Sequence, residues 1–465
     1  MNGSIRNLVI GGTMLLALGG CAVGTPYQRP DVPMPAQWDQ TAVTATATAG
    51  NISSVWWQQF GSAELDQLMV QALAANHDLA GAVIRIRQAR ATAGIVDAAR
   101  LPSAGVSAGG SQSRGDQNGN TTSSQSSQVA VTVAYELDLW GGKGAASEAA
   151  RASLDATVYD KEALALVLQA EVATNYFQAL ALKDRLVIAQ KNLDAAHEVL
   201  RLVELRYKSG ANTGLEVSQQ RTAVLSLEAQ IPQLQQDLRT TLTALAVLLG
   251  QAPQNFTIRG ESLAGLRVPV IAPYQPAALL ERRPDIRKAE AQLAAANANV
   301  SVARAALYPS VNLSLSAVAG GVLTSGSSFV TSLAASLAQS IFDGGRLRGQ
   351  VELSQARKEE VVQQYLQSVL TGLKEVQDNL GATATTGARQ VLLQQAAVEA
   401  QEAYRIANVK HEAGANDLLE LLDSQRTRLS AEDNAIQAAL ARLNASAGLY
   451  KSLGGGWSGE TRDRR

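Results

Sequence analysis

Residues 127–140 read SQVAVTVAYELDLW. Val129, Val131, Val133, Tyr135, Leu137 and Leu139 point one way, and Ala130, Thr132, Ala134, Glu136 and Asp138 the other. Strict period two is the mark of a β-strand with one apolar face and one small or polar face. A weaker partner precedes it, with Val106 and Ala108 alternating with Gly105 and Ser107. Between them SQSRGDQNGNTTSSQSS (111–127) reads as a polar loop. A second strand pair follows 200 residues on. Val311, Leu313 and Leu315 alternate with Asn312, Ser314 and Ser316, and Phe329, Leu333, Leu337 and Ile341 with Ser332, Ser336 and Ser340. GGVLTSGSS (320–328) is the loop. Strands of about ten residues with this two-faced pattern suit a membrane-spanning barrel.

The chain is written twice. NHDL (76–79) aligns with RPDI (283–286), and Pro102 with Pro309. LWGGK (139–143) aligns with FDGGR (342–346), and GANTGLEVSQQR (210–221) with GANDLLELLDSQR (414–426). Each unit runs helix, strand pair, long helix, corner and returning helix. The first helices are expected from Ala63 to about Arg100 and from Pro284 to Leu307. Residues 145–209 hold neither Gly nor Pro, and 65 residues of helix span roughly 97 Å. The corners Gly210-Ala211-Asn212 and Gly414-Ala415-Asn416 then close two helical hairpins, with Gly and Asn supplying the positive φ of a tight reversal. Pro232 is expected to kink the first returning helix. The organisation is therefore 1–20 signal peptide, 21–60 extended arm, 61–250 first repeat, 251–269 linker, 270–453 second repeat and 454–465 tail.

The N-terminus, MNGSIRNLVIGGTMLLALGGCAVG, has one Arg, then an apolar run too short to cross a membrane, as in a secretory signal. Leu18-Gly19-Gly20-Cys21 resembles the lipobox of bacterial lipoproteins, in which the Cys becomes the acylated first residue. Cys21 is the only cysteine. Charge is balanced, 40 basic against 41 acidic residues, which argues against nucleic acid as a partner. His77, His197 and His411 are far apart, without metal-ligand spacing, and no Walker-type loop is present. An enzyme, a metal site and a cofactor are therefore not expected.

Four strands cannot close a barrel, and open edges are costly in lipid. Copies of the chain must share one. Two copies give a plugged eight-stranded barrel, and three give twelve strands around a lumen. The fold class expected is α+β: a trimeric twelve-stranded β-barrel, four strands per chain, continued by long helices. After the second corner, Leu419, Asp423 and Arg426 lie at i, i+4 and i+7 on one helix face. That spacing fits an ordinary packed seam or a ring of residues facing a lumen.

Several stretches carry a family resemblance: CAVGTPYQRPDVPMPAQW (21–38), WWQQFGSAELDQLMVQALAANHDL (56–79), YELDLWGG (135–142), RRPDIRKAEAQLAAANANVSVARAALYPSVNLS (282–314), LLDSQR (421–426) and YKSLGGGW (450–457). The chain resembles TolC-like outer membrane efflux factors of the NodT/OprM lipoprotein type over nearly its whole length. The resemblance implies a homotrimer in the outer membrane, acylated at Cys21, with a helical tunnel through the periplasm. It implies a tripartite efflux pump with a periplasmic adaptor and an inner-membrane transporter, commonly of the resistance-nodulation-division class. The adaptor would dock at the Gly210–Asn212 and Gly414–Asn416 tips. Leu419, Asp423 and Arg426 would narrow the tunnel as a gate. Thr213-Gly214 stands where the second corner has Asp417-Leu418, so the two tips need not behave alike. The rival reading is a lipid-anchored coiled-coil structural or adaptor protein without a pore, which leaves the alternating strands unexplained. The exported compound is not legible.

Overall fold

A computed structural model describes residues 23–39, 52–117, 120–321, 327–413, 415, 418–457 and 459. The signal segment and Cys21 lie outside them, as do Gly414 and Asn416. In chain order the main elements are α1 (Ala63–Ala75), α2 (His77–Ala98), β1 (Ser103–Gln117), β2 (Asn120–Leu137), α3 (Gly142–Lys208), α4 (Gly214–Leu248), α5 (Pro284–Ala305), β3 (Ser310–Gly320), β4 (Ser328–Ala338), α6 (Arg346–Glu412) and α7 (Leu418–Ser452). The repeats match closely: α3 and α6 both have 67 residues, and α4 and α7 both have 35.

The chain forms two compact units. One comprises Met1–Val32, Ile84–Val158 and Lys288–Gln367, and the other Pro33–Val83, Tyr159–Arg287 and Ser368–Arg465. The first holds a four-stranded antiparallel meander in the order β1-β2-β3-β4. Its register puts Val131 opposite Val106 and Ala317, and Leu315 opposite Val133 and Leu333. The expected alternation is thus one continuous sheet face. The supposed loop 111–127 is mostly strand: pairing runs on until Gln117 faces Asn120, and the letters between them are Asn-Gly. Asn-Gly is the strongest short hairpin signal, and polar Ser and Thr sit readily in a strand whose two faces are wet. Ile341 lies beyond β4.

The second unit contains α4 and α7 with α3 from Tyr159 and α6 from Ser368 onward. Its core joins several of the quoted motifs. Trp56 stacks on Tyr450 at 5.0 Å and Phe60 meets Phe177 at 4.9 Å. Tyr450 donates to Gln59 Oε1 at 2.6 Å. Burial pushes the Tyr450 phenol up to about 12.

The first helix is not continuous to Arg100. Asn76 is extended (φ −65°, ψ 126°) and separates α1 from α2. Its Nδ2 donates to the Leu248 carbonyl at 3.0 Å, while its Oδ1 accepts from Leu79 N at 3.0 Å. The second repeat has the same joint at Arg283, also extended (φ −104°, ψ 117°), ahead of Pro284, the first residue of α5. Arg283 Nη1 donates to the Ser452 carbonyl at 3.0 Å. Gly250 and Gly454 close the two joints with φ of 66° and 88°. A Cβ on Gly250 would strike Ala75 O, and one on Gly454 would strike Arg282 O. Here positive φ and close backbone approach together require glycine. Pro232 lies inside α4, which is assigned as one helix across it.

Candidate functional site: the sheet wall and the hairpin tips

One sheet face carries Val106, Val129, Val131, Val133, Leu313, Leu315, Phe329, Leu333 and Leu337; the other carries Gly105, Ser107, Thr132, Ala134, Asn312, Ser314, Ser316, Ser332 and Ser336. Within one chain the apolar face is bare, with Phe329 at 73 % and Leu333 at 79 % exposure. The small face is tied across strands by hydroxyls, with Ser316 and Ser332 sharing a 2.7 Å hydrogen bond. Val318 and Val330, paired with each other, interrupt its polarity. The outer edges of β1 and β4 pair with no strand among the described residues.

Two aspartates position the helices that leave the sheet. Asp138 accepts from Lys143 N at 2.9 Å and Gly144 N at 2.7 Å, at the start of α3. Asp343 accepts from Leu347 N at 2.9 Å and Gly345 N at 3.0 Å, at the start of α6. Those backbone bonds, the Leu347 one first, hold the Asp343 carboxyl below its usual range. Both satisfy orphan N–H groups and oppose the positive end of a helix dipole. Sequence reasoning missed the pair, although the Asp before each Gly-Gly was a signal. Trp140 stacks on Tyr308 at 4.8 Å and donates to the Pro309 carbonyl at 2.7 Å, and Val23 N donates to Trp140 O at 3.4 Å. The N-terminal arm thus lies against the strand ends two residues after Cys21.

At the first corner Gly210 takes φ 75° and Ala211 N donates to Arg206 O at 2.8 Å. Asn212 does not adopt positive φ, contrary to expectation; Gly210 suffices. Thr213 and Glu216 form a reciprocal capping box for α4. At the second corner Ala415 N donates to Lys410 O at 2.9 Å, the same closure 204 residues on. Arg206 Nη2 also donates to the His411 and Glu412 carbonyls, each at 3.1 Å. Near the end of each long helix stands the same exposed ion pair, Glu198–Arg201 and Glu402–Arg405.

Leu419, Asp423 and Arg426 are all exposed on α7, Leu419 at 59 %. The opposite face of α7 is the packed one, with Leu418, Leu421 and Leu422 buried against Val199, Val203, Tyr404 and Ala407. Leu419 and Arg426 line a groove of about 550 Å³ with Thr222, Gln230 and Gln425, and Asp423 lies outside its lining. Among the described residues Asp423 and Arg426 are not ion-paired. Below this level a buried polar knot joins the hairpins. Asn192, fully buried, accepts from Arg428 Nε at 3.1 Å and donates to Glu432 at 3.2 Å. Arg428 also lies 4.0 Å over the Tyr404 ring, and Arg185 Nε donates to Asp433 at 2.5 Å. These residues were missed because the repeats differ here: Ala396 and Val224 stand at the positions equivalent to Asn192 and Arg428.

The family model described as outer membrane efflux protein matches residues 68–251 and 276–455. The pyoverdine export outer membrane protein OpmQ of Pseudomonas aeruginosa is 39 % identical, over 98 % of this chain and 98 % of its own length. The cation efflux system protein CusC of Escherichia coli is 30 % identical, over 95 % and 97 %. The solved outer-membrane channel OprN superposes with a TM-score of 0.86 at 32 % identity, covering 94 % of this chain and all of that one. With its strand meander and paired helical hairpins, the chain belongs to the outer membrane efflux protein family.

Proposed function

We propose that three copies of this chain form the exit duct of a tripartite efflux pump, with twelve strands closing a barrel around a water-filled lumen. One observation carries this reading: a four-stranded sheet with an apolar face, a small polar face and two unpaired edges. Edges are costly in lipid, and three such sheets are the smallest set that closes with a lumen. The Gly210–Asn212 and Gly414–Asn416 corners form the periplasmic tip, where a periplasmic adaptor docks to couple an inner-membrane transporter of the resistance-nodulation-division class. The Glu–Arg pair on both hairpins offers that adaptor a repeated surface. Relatives are named for pyoverdine export and for cation efflux, which fits a duct whose cargo is chosen upstream.

Cys21 carries acyl chains as a second anchor. Mass spectrometry of the mature N-terminus is expected to show an acylated Cys21, and Cys21→Ser to leave the protein in the outer-membrane fraction. A free thiol and free amine on Cys21 would reject acylation.

Leu419, Asp423 and Arg426 form the gate. In a trimer they make three stacked rings: an apolar constriction, a cation-attracting carboxylate ring and a guanidinium ring that offsets its repulsion. Planar-bilayer conductance tests the whole reading. The wild type is expected to form a low-conductance, cation-preferring pore. If each chain contributes about 1 kcal/mol through an exposed link, Arg426→Ser raises the open fraction by up to about a hundredfold. Asp423→Ala is expected to weaken cation preference. No pore at all would sink the duct, and a pore unaltered by both changes would move the gate elsewhere.

A further inference from the structure

The ends of α3 and α6 are linked by one side chain. Arg206, in the last turn of α3, donates to the carbonyls of His411 and Glu412 in the last turn of α6. The last carbonyls of a helix lack intrahelical N–H donors, and a cation is favoured at a helix C-terminus. Shifted by the 204-residue repeat, the cation becomes Lys410 and the carbonyls become those of Lys208 and of Tyr207, which also accepts from Gly210 N at 3.0 Å. Lys410 is exposed and belongs to no ion pair among the described residues. Its own chain has no third hairpin to receive it.

We infer that Lys410 caps the Tyr207–Lys208 end of α3 in a second copy of this chain, and that this seam between chains is weaker than the seam within one. The inference rests on the proposed ring of copies. In that ring every hairpin places a cation on the end of the next, so the contact seen inside the chain recurs between chains with different residues. Five substitutions loosen it. Lys offers a compact, strongly hydrated ammonium where the more weakly hydrated Arg206 guanidinium reaches both carbonyls through Nη2. Lys208 replaces Glu412, so the cation meets a like charge rather than an acid. Farther from the tip, Arg185–Asp433 and the Asn192–Arg428–Glu432 knot become Arg389 with Ala229, and Ala396 with Val224 and Glu228. The ring is therefore three tightly paired sets of hairpins joined at three lax seams, and it parts there first.

Cysteine pairs test the contact. In detergent-purified protein, Lys410→Cys combined with Lys208→Cys and treated with a short bis-maleimide is expected to give covalent dimers and trimers on a denaturing gel, which neither single variant gives. Arg206→Cys with Glu412→Cys is expected to stay at monomer mass, because that link lies within one chain. A native trimer in which Lys410→Cys cross-links between chains with neither Lys208→Cys nor Tyr207→Cys overturns the inference. A native mass of one chain overturns the trimer itself. The weakness of the seam has its own readout. Lys208→Glu supplies the missing acid at three seams, and trimer dissociation on warming is expected to slow by about tenfold. An unchanged or faster dissociation overturns the asymmetry.

Discussion

Arginine at Val131 is expected to destabilise the membrane-inserted protein by about 2–4 kcal/mol per chain, the cost of a cation at the lipid face near the bilayer midplane. Val131 sits between Val106 and Ala317 on the apolar face. Its side chain has no route to water except along the strand. Thr132→Arg, one residue on, points to the small polar face and is expected to cost within about 1 kcal/mol, since lumen positions stay wet. Denaturant titration of the protein refolded into lipid vesicles measures both. Equal losses would mean that the sheet does not divide lipid from water, and the barrel reading would go with it.

The second large effect is expected at Arg283. Only 6 % of this residue is exposed. Burial alone would lower its pKa, but the bond to Asp285 and the charges of Asp285 and Glu375 more than offset it and raise it, so it stays charged. It donates to Asp285 at 3.0 Å and 2.6 Å, to Glu375 at 2.8 Å and to the Ser452 carbonyl. Arg283→Ala removes all of these and leaves a carbonyl and two carboxylates facing a cavity. Breaking a buried pair costs about 3–5 kcal/mol, and since both carboxylates are roughly two-fifths exposed the lower end applies. Asn76→Ala, at the equivalent joint, removes only neutral bonds and is expected to cost about 1–2 kcal/mol. Thermal unfolding of the two variants side by side compares them. A loss at Arg283 no larger than at Asn76 would show that the charge network contributes nothing.

Much of this architecture was legible because period and length are coarse signals. The alternation expected from Val129 to Leu139 held from Val129 to Leu137, where β2 ends, since a slip of one would turn every side chain to the wrong face. The first long helix was legible from missing Gly and Pro, and the second from the repeat, since it holds Gly349, Gly372, Gly381 and Gly387. What failed was local. The polar tract 111–127 looked like a loop because composition was weighed above the Asn-Gly within it. The break at Asn76 was hidden because an N-cap inside an apolar run is marked by one residue only. The repeat offset aligned Asn76 with Arg283, and nothing in the letters says that both cap a helix more than 160 residues away. Leu419 and Arg426 line one groove with Asp423 outside it, and the Asn192 knot beneath them was invisible, because it depends on which helix lies alongside which.

The pairing of β2 with β3 has a consequence for how the protein is made. Val133 meets Leu315 across a separation of 182 positions, so the first hairpin of strands exists as a two-stranded ribbon until the whole first repeat and the opening of the second have been synthesised and exported. A lone ribbon is marginal in water. Even the finished chain presents two unpaired strand edges, which template association with any extended chain nearby. The two outer edges must therefore be kept from other extended chains until three chains meet. The yield of correctly closed rings then depends on chain concentration rather than on the stability of any single chain. Overexpression favours edge-to-edge aggregates at the same time as it favours assembly, and the balance is set by how fast the lipid bilayer accepts the apolar face.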